Sequence, residues 1–334
     1  MGVNLVQEDI PEIGEDDVLV KTKAVGICGT DKTIYKWLGW AQKNVSIPLT
    51  IGHELSGEVV QIGKNVDNIK TGDAVTLDSH LYCGECSICK NSNKHVCKDL
   101  KIIGVNYNGV FSEYVRVPAK IVWKHKEHIP HEIAVLKEPF GNAVHALTAN
   151  DNNLSGKTVL IYGGGVLGAM SIIAAKYLGA KMVIVIENDK EKFQILKKFG
   201  ADFTFRDGKE AINDVLNITK SYGVDIAVDY VTNSDTVKNS LDMLANGKKL
   251  SILGLSQNSI TIEEIGDAIM KGKQIIGVSG RKYHDTWNIV EDIVNTKKGL
   301  LRDMVTVAGG LVDYKNAFKL SFDSSNLKVV MIND

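Results

Sequence analysis

No run of about 18 consecutive apolar residues, the length a membrane-spanning helix needs, occurs in the sequence. The opening stretch, MGVNLVQEDI, lacks the basic and apolar regions of a secretion signal, so the cytosol is the expected compartment. An excess of basic charge is missing too. Lys and Arg number 39 against 40 Asp and Glu, a formal net charge of −1, which provides no field for nucleic acid and no acidic tail. Proline is scarce: five are scattered over 334 residues, so none marks a linker, and no internal repeat or low-complexity tract is present. Cysteine is equally sparse, five in all, but four crowd between positions 83 and 97. In a reducing compartment such crowding reads as metal ligation rather than disulfide bonding.

What is present is ordinary for a globular protein, 44% hydrophobic and 24% charged, in a chain too long for one compact core. Two domains are expected. Up to about residue 135, short β-rich runs such as DVLVKTKAVGI, LSGEVVQIG, DAVTLDS and FSEYVRVPAKIVWK alternate with Gly, Asn and Asp turns, the pattern of an antiparallel, barrel-like unit. From residue 155 the rhythm changes to α/β. The apolar runs KTVLIYGGG, KMVIVIEN, VDIAVDYV, KLSILGL and QIIGVSG are spaced mostly by helix-length segments, as in a doubly wound parallel sheet covered on both faces. After residue 280 the pattern is mixed again.

The stretch TVLIYGGGVLG carries Gly163, Gly165 and Gly168 as G-x-G-x-x-G, directly after an apolar strand and opening a helix. The first glycine allows a tight turn, the second lets a pyrophosphate approach the backbone, and the third lets the helix pack closely. The helix N-terminus, with Val166 and Leu167 in its first turn, then faces the phosphates. Glu187, about 20 residues further on, is placed to accept hydrogen bonds from the adenosine ribose and to repel a 2′-phosphate, which favours NAD over NADP.

Cys83, Cys86, Cys89 and Cys97 suit a closed tetrahedral Zn site, which staples a loop and leaves no position for a substrate. The flanks lack the Arg-rich helix of a nucleic-acid zinc finger.

The segment GHELSGEVVQIGKNV, with GICGTD upstream, the four-cysteine lobe and GGGVLG following in order, resembles the zinc-containing medium-chain alcohol dehydrogenases over nearly the whole chain. That resemblance implies a GroES-like β-rich catalytic domain from residues 1–135 and 281–334 around a Rossmann NAD-binding domain at 136–280. It also implies a second, catalytic Zn. Carried over position by position, Cys28 supplies a thiolate, His53 an imidazole, and Glu54 and Glu138 the carboxylates that bind in one state or another. Such a set leaves room for an alcohol oxygen. The stretches IYKWLGWAQK, EPFGNAVHAL and GVSGRKYHDTW resemble the threonine-oxidising branch, which implies L-threonine or a related secondary alcohol as substrate.

In the same way, Thr30 is expected to relay the alcohol proton. Thr33 stands where that branch commonly carries His, and its hydroxyl passes a hydrogen bond but does not titrate near neutral pH. His80 matches a His beside the substrate. Leu253 and Arg281 are counted with the cofactor-binding residues. The spacing of His125, His128 and His131 resembles a ligand set, but Pro130 interrupts any helix that would align them. His145 is expected to support packing, and Trp37 and Trp40 to line the substrate entrance or to pack. QIIGVSG is read as the last strand of its sheet, an edge that invites pairing with a twin subunit. The resemblance implies a homodimer paired there or a homotetramer, and neither nucleic acid nor a membrane is expected among the partners.

Overall fold

The computed structural model describes residues 2–149, 153–256, 258–263 and 265–333. The chain divides into two compact units, one of residues 1–139 with 282–334 and one of residues 140–281. Among the described residues no helix is long and apolar enough to cross a membrane.

The first unit is organised by the strand Asp17–Gly26, which pairs antiparallel with Glu54–Ile62, Tyr114–Pro118 and Lys328–Ile332. The sheet runs in the order Val305–Val307, Lys328–Ile332, Asp17–Gly26, Glu54–Ile62, Ala74–Leu77, Val122–Lys124. Val305–Val307 lies parallel to Lys328–Ile332 rather than antiparallel. The reason lies in the connection, because the helix Tyr314–Phe322 returns the chain to the end it started from. FSEYVRVPAKIVWK is two strands, not one run: Pro118 has no N–H to continue the ladder, and a 3₁₀ turn at Ala119–Ile121 comes directly after it. Val18, Val20, Leu55, Val75, Leu77 and Phe318 belong to the buried core beneath this sheet.

The strand register brings Gly26 opposite Glu54 on one side and Val330 on the other. A side chain at Gly26 would collide with the Glu54 carboxylate, so the glycine is what lets that acid lie across the strand.

The second unit is a six-stranded sheet in which every pairing is parallel, in the order Phe203–Phe205, Met182–Ile186, Thr158–Tyr162, Val224–Asp229, Leu244–Ile252, Gln274–Gly277. Helices such as Val166–Tyr177 and Ser234–Met243 make the crossovers. The order reverses between Thr158–Tyr162 and Val224–Asp229, and the crevice at the carboxyl ends of those strands is where doubly wound sheets take ligands. Gln274–Gly277 is an edge strand, as its sequence position suggested.

Candidate active site and metal centres

Cys28, His53 and Glu54 each bring one ligand atom to a cluster whose atoms lie within 4.8 Å of one another. Cys28 immediately precedes the helix Gly29–Tyr35, and its backbone N–H donates to Asp31 Oδ2 at 2.8 Å. His53 and Glu54 arrive together because Glu54 begins the strand Glu54–Ile62. All but Cys28 are buried. Glu138, in the first turn of the helix Lys137–Thr148, is 2% exposed and close enough to act electrostatically on Asp31, His53 and Glu54, though it lies outside the tight three-residue cluster.

Two residues that the sequence reading did not assign complete this neighbourhood. Lys328 donates from Nζ to both oxygens of Glu54 at 2.7 Å and to the carbonyl of Ile27 at 3.2 Å. Burial opposes its charge, but Glu54, Cys28 and Asp31 together raise its pKa above the usual lysine value, so it stays cationic. Asp31, 0% exposed, presents Oδ1 at 3.6 Å from His53 Nδ1, longer than a hydrogen bond. Burial raises the Asp31 carboxyl. Burial alone would lower the His53 imidazole, yet Asp31, Cys28 and Glu138 raise it well above its ordinary value. Asp31 was within reach of sequence reading, as the last residue of GICGTD. Lys328 carried no such signal, being 274 residues from its partner.

These donors fit a zinc ion. The buried Nδ1 of His53 and Oδ1 of Asp31 both lack a hydrogen-bond partner among the described residues. The carboxylate faces Nδ1 across 3.6 Å as a charge partner without a hydrogen bond, so the imidazole keeps a nitrogen for metal. The remaining donor atoms, one sulfur and the carboxylates, are of the types that complete open catalytic sites.

The second cluster, Cys83, Cys86, Cys89 and Cys97, has sulfur pairs separated by 3.4 to 3.9 Å. A tetrahedral ion with Zn–S of about 2.3 Å sets its sulfurs about 3.8 Å apart. Backbone N–H groups of Cys86 and Asp99 donate to the sulfurs of Cys83 and Cys97 at 3.4 Å. The N–H groups of Lys98 and Cys89 lower the Cys86 thiol to about 6, whereas burial pushes Cys89 up to about 12. With zinc bound and all four sulfurs deprotonated, such a site would be closed, with no open position.

Of the other expected residues in the first unit, Thr30 and Thr33 are half-buried on the helix Gly29–Tyr35, and the Thr33 hydroxyl donates to the Gly29 carbonyl at 3.1 Å. His80 is buried in the short strand His80–Leu81, its N–H held by Asp78 Oδ1 at 3.0 Å. His125 is buried and His131 Nδ1 meets Ser56 Oγ at 2.8 Å, so the spaced histidines serve separate places. Trp37 and Trp40 are partly buried against the core.

In the second unit, Gly163 takes φ +100° and Gly165 caps the helix Val166–Tyr177. A Cβ at Gly168 would collide with the Gly163 carbonyl, so the helix packs on its own turn only because that residue is glycine. Val166 and Leu167, both half-buried, form the first turn. Glu187 comes just after the strand Met182–Ile186 and accepts from the Gly164 N–H at 2.8 Å and the Asp189 N–H at 2.9 Å. Its carboxylate is thereby pinned beside the glycine turn. Leu253 comes just after Leu244–Ile252, its N–H donating to the Asp229 carbonyl at 3.1 Å. Arg281 is 2% exposed, packs over Gly141, and its Nε reaches Asn142 Oδ1 at 3.4 Å. His145 Nδ1 meets the Gly280 carbonyl at 2.9 Å.

A GroES-like sheet with an open metal cluster and a closed thiolate lobe, followed in sequence by a doubly wound sheet with a dinucleotide turn, defines the zinc- and nicotinamide-dependent alcohol dehydrogenases. Residues 14–128 match the Alcohol dehydrogenase GroES-like domain and residues 166–296 the Zinc-binding dehydrogenase family. The chain belongs to this family of zinc-binding alcohol dehydrogenases. The L-threonine 3-dehydrogenase of Caldanaerobacter subterraneus subsp. tengcongensis is 38% identical over 337 residues, covering 99% of this chain and 95% of its own. Among solved structures, an Escherichia coli CFT073 dehydrogenase complexed with NADH matches with a TM-score of 0.88 at 26% identity, covering 99% of this chain and 96% of that one. Galactitol-1-phosphate dehydrogenase from Escherichia coli matches with a TM-score of 0.90 at 25% identity, covering 98% and 96%.

Proposed function

We propose that this protein oxidises L-threonine at its β-hydroxyl carbon, passing a hydride to NAD and yielding 2-amino-3-oxobutyrate. The observation that carries this reading is the Cys28–His53–Glu54 cluster, in a chain 38% identical over almost its full length to an L-threonine 3-dehydrogenase. Cys28 and His53 would hold the catalytic zinc, with Glu54 or Glu138 as the exchangeable acid. When bound, zinc supplies Lewis acidity that lowers the pKa of an alcohol hydroxyl.

The protein's own groups do the rest. Lys328 neutralises Glu54 and keeps the cluster from accumulating negative charge. Asp31 bears on His53 electrostatically across 3.6 Å. Thr30 receives the departing proton, and His80 borders the substrate. In the second unit Gly163, Gly165 and Gly168 cradle the pyrophosphate with Val166 and Leu167, while Leu253 and Arg281 contact the cofactor. Glu187, pinned by two backbone N–H groups, takes the ribose hydroxyls and repels the extra phosphate of NADP. The protein works in the cytoplasm as a homodimer or homotetramer. Supporting association is the edge strand Gln274–Gly277, beside which Ile275, Ile269 and Met270 are 41%, 68% and 87% exposed.

A second reading, a zinc-dependent polyol or 2,3-butanediol dehydrogenase, is favoured by Thr33, whose hydroxyl proton is already committed to the Gly29 carbonyl. The two separate in one assay: NADH formation with L-threonine, sorbitol and 2,3-butanediol. Turnover of a diol or polyol with none of threonine would overturn the first reading in favour of the second.

A further inference from the structure

Glu291, on the helix Asp285–Arg302, and Lys137, the first residue of Lys137–Thr148, meet at 2.6 Å with both side chains 0% exposed. Glu291 is fully engaged. Its Oε2 accepts from Lys137 Nζ and from Trp123 Nε1 at 3.0 Å, and its Oε1 from the Lys126 N–H at 3.1 Å and Asn295 Nδ2 at 3.3 Å. A buried ion pair adds little net stability over apolar residues of the same volume, so stability alone does not account for it.

Its location does. Lys137 is joined by a single peptide bond to Glu138, the acid that bears on Asp31, His53 and Glu54. Four residues before Glu291, on the same helix face, Trp287 donates from Nε1 to Asp78 Oδ2 at 3.0 Å, and Asp78 Oδ1 takes the His80 N–H at 3.0 Å. Trp287 stacks on Trp123 with ring centroids 5.4 Å apart. One buried face of this helix therefore fixes the two segments that carry Glu138 and His80.

We propose that Glu291 is a positioning residue: by holding Lys137 it sets the direction in which Glu138 presents its carboxylate to the Cys28–His53–Glu54 centre. Losing the ion pair frees the first turn of Lys137–Thr148 to rotate, and the carboxylate with it. The inference rests on the proposed function only in requiring that metal occupies that centre.

The test uses the full-length protein loaded with zinc and, separately, with cobalt(II), as wild type, Glu291→Gln, and the double variant Lys137→Met/Glu291→Gln, which removes both charges at nearly constant volume. Chelator competition measures metal affinity at the open centre, and the ligand-field bands of cobalt report its geometry. The one metal ion per chain that the four-cysteine lobe retains after the open centre is stripped by chelator is the internal control for folding. In Glu291→Gln, affinity at the open centre is expected to fall about tenfold or more and its ligand-field bands to shift, with the lobe unchanged. The double variant is expected to recover thermal stability but not the wild-type bands, and it decides alone if Glu291→Gln does not fold. Wild-type affinity and bands in either folded variant would overturn the inference. Wild type binding one metal per chain overturns it together with the site reading. Wild type holding two metals but inert toward threonine removes only the substrate assignment, and the variants still decide this one.

Discussion

At the scale of single residues, the metal cluster depends on a charge that its own segment does not contain. Glu54 is 0% exposed and its compensating cation, Lys328, 1%. Replacing Lys328 with Met keeps the volume but strands a buried carboxylate, and breaking such a pair costs about 3–5 kcal/mol. Urea denaturation is expected to show a loss of that size, and metal analysis the loss of one zinc per chain while the four-cysteine lobe keeps its own. Unchanged stability and two zinc ions would rule out the pair as the keystone of the site. Cys28, His53 and Glu54 were legible only together and through the family resemblance: a lone Cys is ordinarily core and a His beside an acid ordinarily a surface pair, and it is the order of the motifs around them that marks them as ligands. Lys328 and Glu291 were not. Any of 39 Lys and Arg could have matched Glu54, and only the fold selects which one reaches it.

At the scale of elements, the glycine turn before Val166–Tyr177 was readable because close backbone approach excludes every other side chain. Substituting Gly168 with Ala places a methyl against the Gly163 carbonyl and pushes the helix off its turn. NADH affinity, read by the change in nicotinamide fluorescence on binding, is expected to weaken at least tenfold, on the order of 1.4 kcal/mol; an unaltered affinity would remove the turn from the cofactor site. Less was legible where elements are short. Phe203–Phe205 is a three-residue edge strand with Phe203 36% exposed, too brief to read as an apolar run, and it extends the sheet beyond the five runs visible in sequence. The division of FSEYVRVPAKIVWK at Pro118 was available from proline's missing donor. The parallel pairing of Val305–Val307 was not, because it depends on where a helix delivers the chain.

At the scale of the molecule, acid sensitivity is built into the first unit. His125 is buried, neither ring nitrogen has a hydrogen-bond partner among the described residues, and burial, with Lys137 and His131, lowers its pKa to about 2. The unfolded chain takes up this proton below about pH 6.5 while the folded one refuses it. Stability is therefore complete above that value and falls as pH drops, by about 1.4 kcal/mol per pH unit for this group. All four tryptophans, Trp37, Trp40, Trp123 and Trp287, lie in the first unit, so their fluorescence tracks its unfolding alone. Urea midpoints at about pH 7.5 and 5.5 are expected to differ less in His125→Phe than in wild type. Equal slopes would mean that the site opens to water. Comparing the two proteins cancels the contribution of every other titrating group.

The first unit is assembled from both ends of the chain, with residues 140–281 inserted between them. A chain emerging from the ribosome completes the inserted unit as one uninterrupted length and can fold its parallel sheet while the other unit is still short of its final strands. Asp17–Gly26 must wait for Lys328–Ile332, and Glu54 for a lysine synthesised 274 residues later. The Cys28 thiol and the imidazole and acid that gather beside it are all made long before the lysine that completes their surroundings.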